Sequence, residues 1–296
     1  MASPAQRLPD NAPGEFYVDR TCIDCDACRR IAPAVFEEGD GHSFVSAQPG
    51  SAAQRHRALM ALVACPTGSI GTLGGGIGPA VAAEGAAAFP ETVDENVAFC
   101  GFTAESSFGA WSYFIERPAG NVLVDSPRAA GPLLSALAAR GGVSTLFLTH
   151  RDDVADHEAF RARFGCQRIL HEADVVPGTR GIERRLVGVE PVELAEDLLA
   201  IPTPGHTRGH AVLLYRNKYL FTGDHLAWSR RQGRLVAFRD ACWYSWEEQV
   251  RSMEQLLDYR FEWVLPGHGG WHRAASPAAM RSELDRCVAW MRTATR

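Results

Sequence analysis

The sequence has few lysines and no long apolar run. Lys218 is the only lysine among 30 basic residues, and it follows an asparagine rather than a glycine, so the chain carries no phosphate-binding P-loop. The net charge of −5 provides no basic surface for nucleic acid. No stretch of 18 apolar residues occurs, so we expect no membrane contact. Residues 1–16 lack the apolar core of a secretory signal, which favours a cytoplasmic protein.

The chain of 296 residues is 46% hydrophobic and 22% charged, which is typical of a globular protein. Such a length buries enough surface for stability without covalent cross-links. Its eight cysteines therefore need another explanation. Cys22, Cys25 and Cys28 lie within seven residues, and Cys65 precedes a proline.

Residues 73–89 are mostly glycine and alanine, which is typical of a flexible linker. We therefore predict a small domain over residues 1–76, a linker over 77–90 and a larger domain over 91–296.

The larger domain alternates apolar runs with helical segments, which predicts a layered α/β fold. Helices are predicted at 132–140 and 156–164, after Ser245 and after Ser276, and in the small domain at 51–64. Strands are predicted at 15–18, 121–124, 145–148, 167–170, 198–201, 211–215, 219–221 and 261–265.

The cysteine motif Cys22-x2-Cys25-x2-Cys28 indicates an iron–sulfur site, because closely spaced thiolates in a tight loop converge on one metal centre. Cys65 would close the site as fourth ligand. A zinc knuckle is disfavoured, since structural zinc sites more often use two separate C-x2-C pairs. Disulfides are disfavoured because the three cysteines are too close together and no export signal is present. The remaining cysteines are expected to be buried apolar residues. For Cys100, a further role is left open.

The second half of the chain contains four short histidine and aspartate motifs, each following an apolar run. They are Thr149-His150-Arg-Asp152-Asp153-Val-Ala-Asp156-His157, Thr203-Pro-Gly-His206-Thr-Arg-Gly-His210, Thr222-Gly-Asp224-His225 and Pro266-Gly-His268. Loops at strand ends are where α/β folds collect ligands. Imidazoles with carboxylates suit zinc, iron or manganese, and an aspartate between two ions can bridge them.

The cysteine segment resembles single-cluster [4Fe-4S] ferredoxins over residues 15–72. Two-cluster ferredoxins carry a fourth cysteine three residues after the third one, and that cysteine ligates the other cluster. Here Ala32 occupies that position, just before Pro33, and 36 residues separate Cys28 from Cys65. The resemblance implies one [4Fe-4S] cluster held by Cys22, Cys25, Cys28 and Cys65.

The histidine and aspartate motifs resemble the metallo-β-lactamase superfamily over residues 95–272, particularly its glyoxalase II-like T-P-G-H-T-x-G-H motif. The resemblance implies a four-layered αβ/βα sandwich following the small ferredoxin-like domain. It also implies that His206 binds one metal ion, Asp224 bridges two and His268 binds the other. Asp125 resembles the structural aspartate of this family. His210 and His225 are expected to support or pack against the site.

The first motif departs from the family pattern H-x-[H/E/D]-x-D-H. His150 and Asp152 fit its first two positions, but Asp156 and His157 follow two residues late. One metal site could be weakened, or a bulged loop could restore it. We favour the bulge, because every required residue type is present, and expect His150, Asp152, Asp156 and His157 as ligands. Asp153 is the main competitor of Asp152.

Two chemistries are compatible with this combination. The first is redox chemistry at one or two iron ions, fed with electrons by the cluster, as the resemblance to flavodiiron proteins implies; Asp156 and Asp224 are the expected catalytic residues. The alternative is a zinc hydrolase of thioesters, esters or phosphodiesters with a structural or redox-sensing cluster. We expect a small-molecule substrate and, for the first chemistry, a redox partner. Arg230, Arg231 and Arg234 could meet an anionic substrate, although a solvated loop is the simpler interpretation.

Overall fold

The computed structural model describes residues 2–73 and 79–294. Its chain folds into two compact units, Met1–Ser144 with Ala155–Cys166, and Thr145–Val154 with Gln167–Arg296. We call them unit 1 and unit 2. Within the described residues, no helix has the length and apolar character needed to cross a membrane.

Unit 1 contains the cysteine motif and the first part of the predicted larger domain. Its strands are β1 (Phe16–Val18), β2 (Phe36–Glu38), β3 (Ser43–Val45), β4 (Ile70–Thr72), β5 (Glu91–Asp94), β6 (Val97–Phe99), β7 (Tyr113–Ile115) and β8 (Val122–Val124). Its helices are α1 (Ala27–Ile31), α2 (Ala52–Ala64), α3 (Pro79–Ala87), α4 (Gly131–Ala139) and α5 (His157–Phe164).

Three antiparallel arrangements organise the strands of unit 1. β1 pairs with β4, so that Phe16 lies opposite Thr72 and Val18 opposite Ile70. β2 and β3 form a hairpin. β5, β6, β7 and β8 pair in chain order. The pairing of β1 with β4 brings the chain that precedes Cys22 next to the chain that follows Cys65.

The predicted linker contains a helix. α3 covers Pro79–Ala87 and packs against α2, whereas residues 77 and 78 lie outside the described part of the chain. Alanine is the best helix former, which explains helix formation in this Ala-rich segment. Residues 79–87 are therefore helical rather than a flexible chain, and the domain boundaries stay a prediction.

Unit 2 carries the four histidine and aspartate motifs, except Asp156 and His157. Its strands are β9 (Thr145–Phe147), β10 (Gln167–His171), β11 (Arg184–Leu186), β12 (Val192–Ala195), β13 (Leu198–Pro202), β14 (Ala211–Tyr215), β15 (Tyr219–Gly223), β16 (Ala227–Ser229), β17 (Arg234–Val236), β18 (Trp263–Pro266) and β19 (His272–Arg273). Its helices are α6 (Trp246–Gln255) and α7 (Pro277–Thr293).

Strand direction in unit 2 explains where the motifs meet. β9, β10 and β11 are parallel. In the six-stranded sheet, β14 is antiparallel to both β13 and β15, and β15 is parallel to β18. Since β13, β15 and β18 thus run in one direction, the loops that follow them emerge at the same edge of this sheet.

The helix starts expected after Ser245 and Ser276 are confirmed, and the helix predicted at 51–64 also begins after a serine cap. The side chains of Ser51, Ser245 and Ser276 accept hydrogen bonds from backbone N–H groups three residues later, each at 3.2 Å. α6 and α7 contribute Met253, Leu284 and Met291 to the apolar core that packs on β14, β15 and β18. The sequence did not predict β2 to β7, β11, β12, β16, β17 or β19, which are strands of two to four residues.

Candidate metal centres

The four cysteines expected to hold the iron–sulfur cluster line one cavity of unit 1. Cys22, Cys25, Cys28 and Cys65 share this cavity with Ile23, Pro66 and Ile70. All eight thiols of the chain are free, so the disulfide alternative does not apply. Backbone N–H groups point at two of the sulfurs, from Ser43 to Cys22 Sγ at 3.4 Å and from Ser69 to Cys65 Sγ at 3.3 Å. Such hydrogen bonds to the sulfurs are among the features that tune an iron–sulfur centre.

The buried thiols of this cavity suit a metal cluster better than they suit free thiolates. Burial raises the pKa of Cys25 to about 11 and also raises the pKa of Cys28. A thiolate in such a place requires a metal cation, which deprotonates the coordinating thiol. Four thiols around one apolar cavity therefore match the donor set of a [4Fe-4S] cluster.

Gly109, from the segment between β6 and β7, lies against Cys25 of the cysteine cavity. It has φ of +81°, and a Cβ there would lie 2.6 Å from Cys25 Cβ and 2.8 Å from Cys25 Sγ. Only glycine allows the backbone to come this close. The cysteine motif and the following sheet of unit 1 are thus packed against each other at a cluster ligand.

Arg128, which follows β8, holds the chain on both sides of Cys65. Its guanidinium donates to the carbonyl oxygens of Thr103 (2.8 Å), Val63 (2.9 Å) and Cys65 (3.4 Å). Thr103 Oγ1 donates to the carbonyl oxygen of Ala64 at 2.7 Å. These bonds satisfy carbonyl groups at the C-terminal end of α2, which a helix leaves without partners.

The second candidate site lies in unit 2, where four loops bring imidazoles and carboxylates together. His150 follows β9, His206 follows β13, Asp224 follows β15 and His268 follows β18. Two groups of side chains have ligand atoms within 4.8 Å of one another: His150, Asp152 and His206, and His150, Asp153 and Asp224. His150 belongs to both groups. Asp152 and Asp153, which the sequence left as competitors for one position, each belong to a different group.

The distances within these groups leave room for an ion between the side chains. His206 Nε2 lies 3.6 Å from Asp152 Oδ2 and 3.8 Å from Asp224 Oδ2. His150 Nε2 lies 3.9 Å from Asp224 Oδ2 and 4.0 Å from one oxygen of Asp152 and of Asp153. Neither His150 Nε2 nor the two ring nitrogens of His206 have a hydrogen-bond partner, although all three are buried. Buried imidazole nitrogens of this kind suit a divalent cation.

Burial and charge set the ionisation of the site. Burial lowers the pKa of His150 to about 4, although Asp224 acts in the opposite direction, so the imidazole is neutral near pH 7. Burial acts to raise the pKa of Asp224, but the neighbouring His268, His150 and His206 hold it well below its usual value. A neutral imidazole and an ionised carboxylate are the protonation states that a metal ion requires.

Two further contacts orient the rings. Thr149 Oγ1 lies 3.0 Å from His150 Nδ1, which leaves Nε2 directed at the site. His268 Nδ1 lies 2.6 Å from Asp224 Oδ1. His268 is therefore next to Asp224, but it belongs to neither of the two groups that could hold an ion among the described residues.

Asp156 and His157 are not part of either group of described residues. Asp156 is exposed, precedes α5, and accepts a hydrogen bond from the backbone N–H of Ala129 at 2.8 Å. His157 is buried in the first turn of α5. Metal binding and catalysis by these two residues stay predictions.

The residues around the sites have the supporting positions that were expected of them. His210 and His225 are buried with ring centroids 5.2 Å apart, and His210 Nδ1 lies 2.9 Å from Thr203 Oγ1. Asp125 is buried with φ of +55° directly after β8. Cys100, Cys166 and Cys287 are buried, and burial raises the pKa of Cys100 to about 12. Cys242 differs, because it is only half-buried and its thiol donates to the carbonyl oxygen of Gly205 at 3.2 Å.

Two features of this site were missed in the sequence. Asp174 is a fully buried carboxylate that accepts hydrogen bonds from both ligand loops, including 2.7 Å from the Gly209 N–H. The sequence signal for Asp174 was its position three residues after the end of the apolar strand β10. Trp243 and Tyr244 donate backbone hydrogen bonds to the carbonyl oxygen of His206, and both side chains are exposed. No local pattern of the sequence pointed to them.

Two family models match this chain. The model of the metallo-beta-lactamase superfamily matches residues 107–268. The model of the 4Fe-4S single cluster domain of ferredoxin I matches residues 18–72. Both resemblances that the motifs indicated are thereby confirmed.

Relatives of known name match part of the chain. A hydroxyacylglutathione hydrolase of Fuscovulum blasticum is 39% identical over 114 residues, which cover 35% of this chain and 42% of that protein. A hydroxyacylglutathione hydrolase of Acidiphilium cryptum is 30% identical over 121 residues, covering 39% and 49%. The chain thus spans about half the length of these curated relatives.

Solved structures share the fold at low sequence identity. The crystal structure of VMB-1 at pH 5.5 has a TM-score of 0.53 and 15% identity, covering 70% of this chain and 97% of that one. The DIM-1 metallo-beta-lactamase exposed to ceftazidime has a TM-score of 0.52 and 18% identity, covering 66% and 95%. These similarities confirm the predicted mixed α/β fold class.

Proposed function

Because the chain belongs to the metallo-beta-lactamase superfamily, we propose that it is a metal-dependent hydrolase of a thioester or a related ester, with a [4Fe-4S] cluster of structural role. The observation that carries the proposal is the convergence of His150, Asp152, Asp153, His206 and Asp224 on one edge of unit 2. The hydroxyacylglutathione hydrolases among the relatives support the thioester class.

The residues of unit 2 would hold one or two divalent ions. His150, Asp152 and His206 would contact one ion, and His150, Asp153 and Asp224 the other. When bound, such an ion polarises a carbonyl group and acidifies water, which is the chemistry that ester hydrolysis needs.

The chain's own side chains orient and hold the charges of this site. Asp224, whose pKa lies well below its usual value, stays ionised and keeps His268 oriented through their 2.6 Å contact. His150 remains neutral and is oriented by Thr149. The side chain of Asp152 is 44% exposed whereas His150 and His206 are buried, so substrate would approach from the side of Asp152.

The structural role of the cluster is supported by its surroundings within unit 1. Gly109 and Arg128, which contact Cys25 and the chain at Cys65, both belong to the segment that the metallo-beta-lactamase model matches. A cluster built into the packing of a domain in this way would stabilise that domain without taking part in hydrolysis.

Redox chemistry at iron is the second candidate, and the carboxylates favour it. Asp152 and Asp153 add oxygen ligands to the histidines, and sets of histidine with carboxylate also suit iron. In that case the cluster would supply single electrons to iron held in unit 2.

The two candidates are separated by the metal content and activity of the full chain, purified without air and without added metal. Zinc in the His/Asp site, together with thioester hydrolysis that is unaffected by dithionite, supports the hydrolase. Iron beyond the cluster, with an EPR signal that changes with dithionite and turnover and no hydrolysis, would overturn it. An Asp224→Asn variant should lose the activity and keep the cluster absorbance.

A further inference from the structure

Asp174 is a buried carboxylate of unit 2 that neither the motifs nor the proposed chemistry uses. Its exposed fraction is 0%, and it lies at the end of the short turn Glu172–Asp174 that follows β10. Burying an ionised carboxylate is costly unless hydrogen bonds compensate for the lost water. The donors to this carboxylate therefore indicate why the residue is there.

The hydrogen bonds of Asp174 come from two ligand loops. Oδ2 accepts from the backbone N–H of Arg151 at 3.1 Å and from Thr207 Oγ1 at 2.5 Å. Oδ1 accepts from the backbone N–H of Gly209 at 2.7 Å. Arg151 directly follows His150, and Thr207 directly follows His206. One carboxylate thus ties together the two loops whose histidines face each other, with ring centroids 4.7 Å apart.

The approach of the second loop to Asp174 is close enough to require glycine. A Cβ at Gly209 would lie 2.7 Å from the backbone nitrogen of Asp174 and 2.8 Å from its Oδ1. A side chain there would push the loop away from the carboxylate. This close approach explains the glycine of the His206-Thr-Arg-Gly209-His210 motif.

Asp174 is itself held in place by His171 at the end of β10. His171 Nε2 lies 2.8 Å from the carbonyl oxygen of Gly188, which can only accept, so Nε2 carries the proton. His171 Nδ1 therefore accepts from the Ala173 N–H at 3.2 Å and fixes the turn. The strand thus supplies a rigid base for the carboxylate.

We propose that Asp174 is a positioning residue that sets the distance between His150 and His206 and thereby the affinity and geometry of the metal site they form. It contacts no ion itself. The proposal depends only on metal binding by unit 2 and holds for hydrolysis and redox chemistry alike. Its test can therefore fail while the proposed function stands, and the reverse is also true.

The test measures cobalt(II) and zinc binding by the full chain with its cluster in place. Asp174→Asn should lower zinc affinity by about 10- to 100-fold, the range seen when residues that support metal ligands are changed. The visible cobalt spectrum, which reports ligand geometry, should shift. Glu183→Gln is the matched control, because Glu183 is a hydrogen-bonded carboxylate of the same unit that accepts from Arg168.

A second variant separates the hydrogen bonds from the charge of Asp174. Thr207→Val keeps the carboxylate but removes the hydroxyl that donates to it, so a shifted cobalt spectrum and a smaller loss of affinity are expected. Thr207→Ser should restore both. Should the Asp174 variant fail to fold, the Thr207 pair still decides the matter.

The proposal would be overturned by affinities within twofold of the wild type and an unchanged cobalt spectrum in Asp174→Asn and Thr207→Val. A lower melting temperature with those metal properties intact would assign Asp174 a purely structural role. Equal losses of zinc affinity in Glu183→Gln and Asp174→Asn would overturn it too, because removal of a negative charge elsewhere in unit 2 would then have the same effect.

Discussion

The cysteine cavity of unit 1 and the His/Asp site of unit 2 collect their ligands in different ways. The cysteines come from the segment 22–28, which ends in the first turn of α1, and from the residue that follows α2. The histidines and aspartates come from separate loops after β9, β13, β15 and β18. The first site depends mainly on local chain geometry, whereas the second depends on the alignment of strands that are distant in sequence.

The two sites also differ in how their charge is balanced. Burial raises the pKa of Cys25 to about 11, and no side-chain cation is needed while the thiol is protonated. In unit 2, Asp224 stays ionised while His150 is neutral, so this site carries negative charge that bound cations would balance. We therefore expect removal of the ions to leave uncompensated charge in unit 2, whereas removal of the cluster leaves protonated, neutral thiols at Cys25 and Cys28 in unit 1.

The largest expected effect is loss of the cluster on replacing Cys28 with alanine. Cys28 is buried in the shared cavity, and three remaining thiols leave one iron of a [4Fe-4S] cluster without a ligand. Iron and acid-labile sulfide per chain should fall to a small fraction of the wild-type values. Cys287→Ala, at a buried cysteine outside the cavity, should keep both. Full iron in Cys28→Ala would contradict the assignment.

The next largest effect concerns His150, which both groups of unit 2 share. His150→Ala should release the ions of both groups and lower activity by about 100-fold or more. Asp152→Asn and Asp153→Asn should each weaken only one group, and so leave roughly half of the metal bound. Metal analysis after dialysis measures this.

The exposed Asp240 provides the control for these variants, and Asp240→Asn should bind metal as the wild type does. If Asp152→Asn and Asp153→Asn lose the same ion, the division into two groups is wrong.

A smaller effect is expected from Gly109→Ala, which tests the close contact at Cys25. Alanine at a positive φ costs about 1–2 kcal/mol by itself, and its Cβ would collide with Cys25. We expect faster bleaching of the cluster absorbance in air. Gly233→Ala is the matched control, because Gly233 has φ of +60° but no atom near its Cβ position. Identical bleaching of the two variants would show that the contact at Cys25 has no influence.

The smallest effect concerns the stability of protein stripped of divalent ions. Burial lowers the pKa of His225 to about 3 and that of His150 to about 4, below the ordinary value of 6.5. The unfolded chain therefore binds more protons between about pH 6.5 and pH 4. The free energy of unfolding should therefore decrease as the pH is lowered through this window, by at most about 1.4 kcal/mol per pH unit for each histidine.

Melting curves between pH 7.5 and pH 5 measure this dependence. His225→Phe should show a shallower fall than the wild type, because it removes one buried group that must remain neutral. An equal slope in the two proteins would assign the pH dependence to other groups.

The sequence predicted those parts of the molecule whose signals are local. Serine caps at Ser245 and Ser276 marked helix starts, and the cysteine spacing indicated one shared site. The helix in the Gly/Ala segment was missed because composition alone does not reveal that α3 packs on α2. The short strands β5 to β7 were missed because three or four residues carry too little periodicity.

The first motif shows the limit for site residues. The sequence offered His150, Asp152, Asp153, Asp156 and His157 within eight positions, and counting could not choose among them. In the structure, Asp156 is the N-cap of α5 and His157 lies in its first turn, and neither belongs to a group that could hold an ion among the described residues. His150, Asp152 and Asp153 remain on the loop that continues from β9.

The sequence by itself determined the residue types of both sites and the loops that carry them, because cysteine spacing and strand-end motifs are properties of short segments. Only the tertiary structure decided which carboxylates join His150 and His206, and that Asp174 ties their loops together. The physical reason is that these contacts join loops that follow strands far apart in the sequence, and their geometry depends on strand register and loop packing.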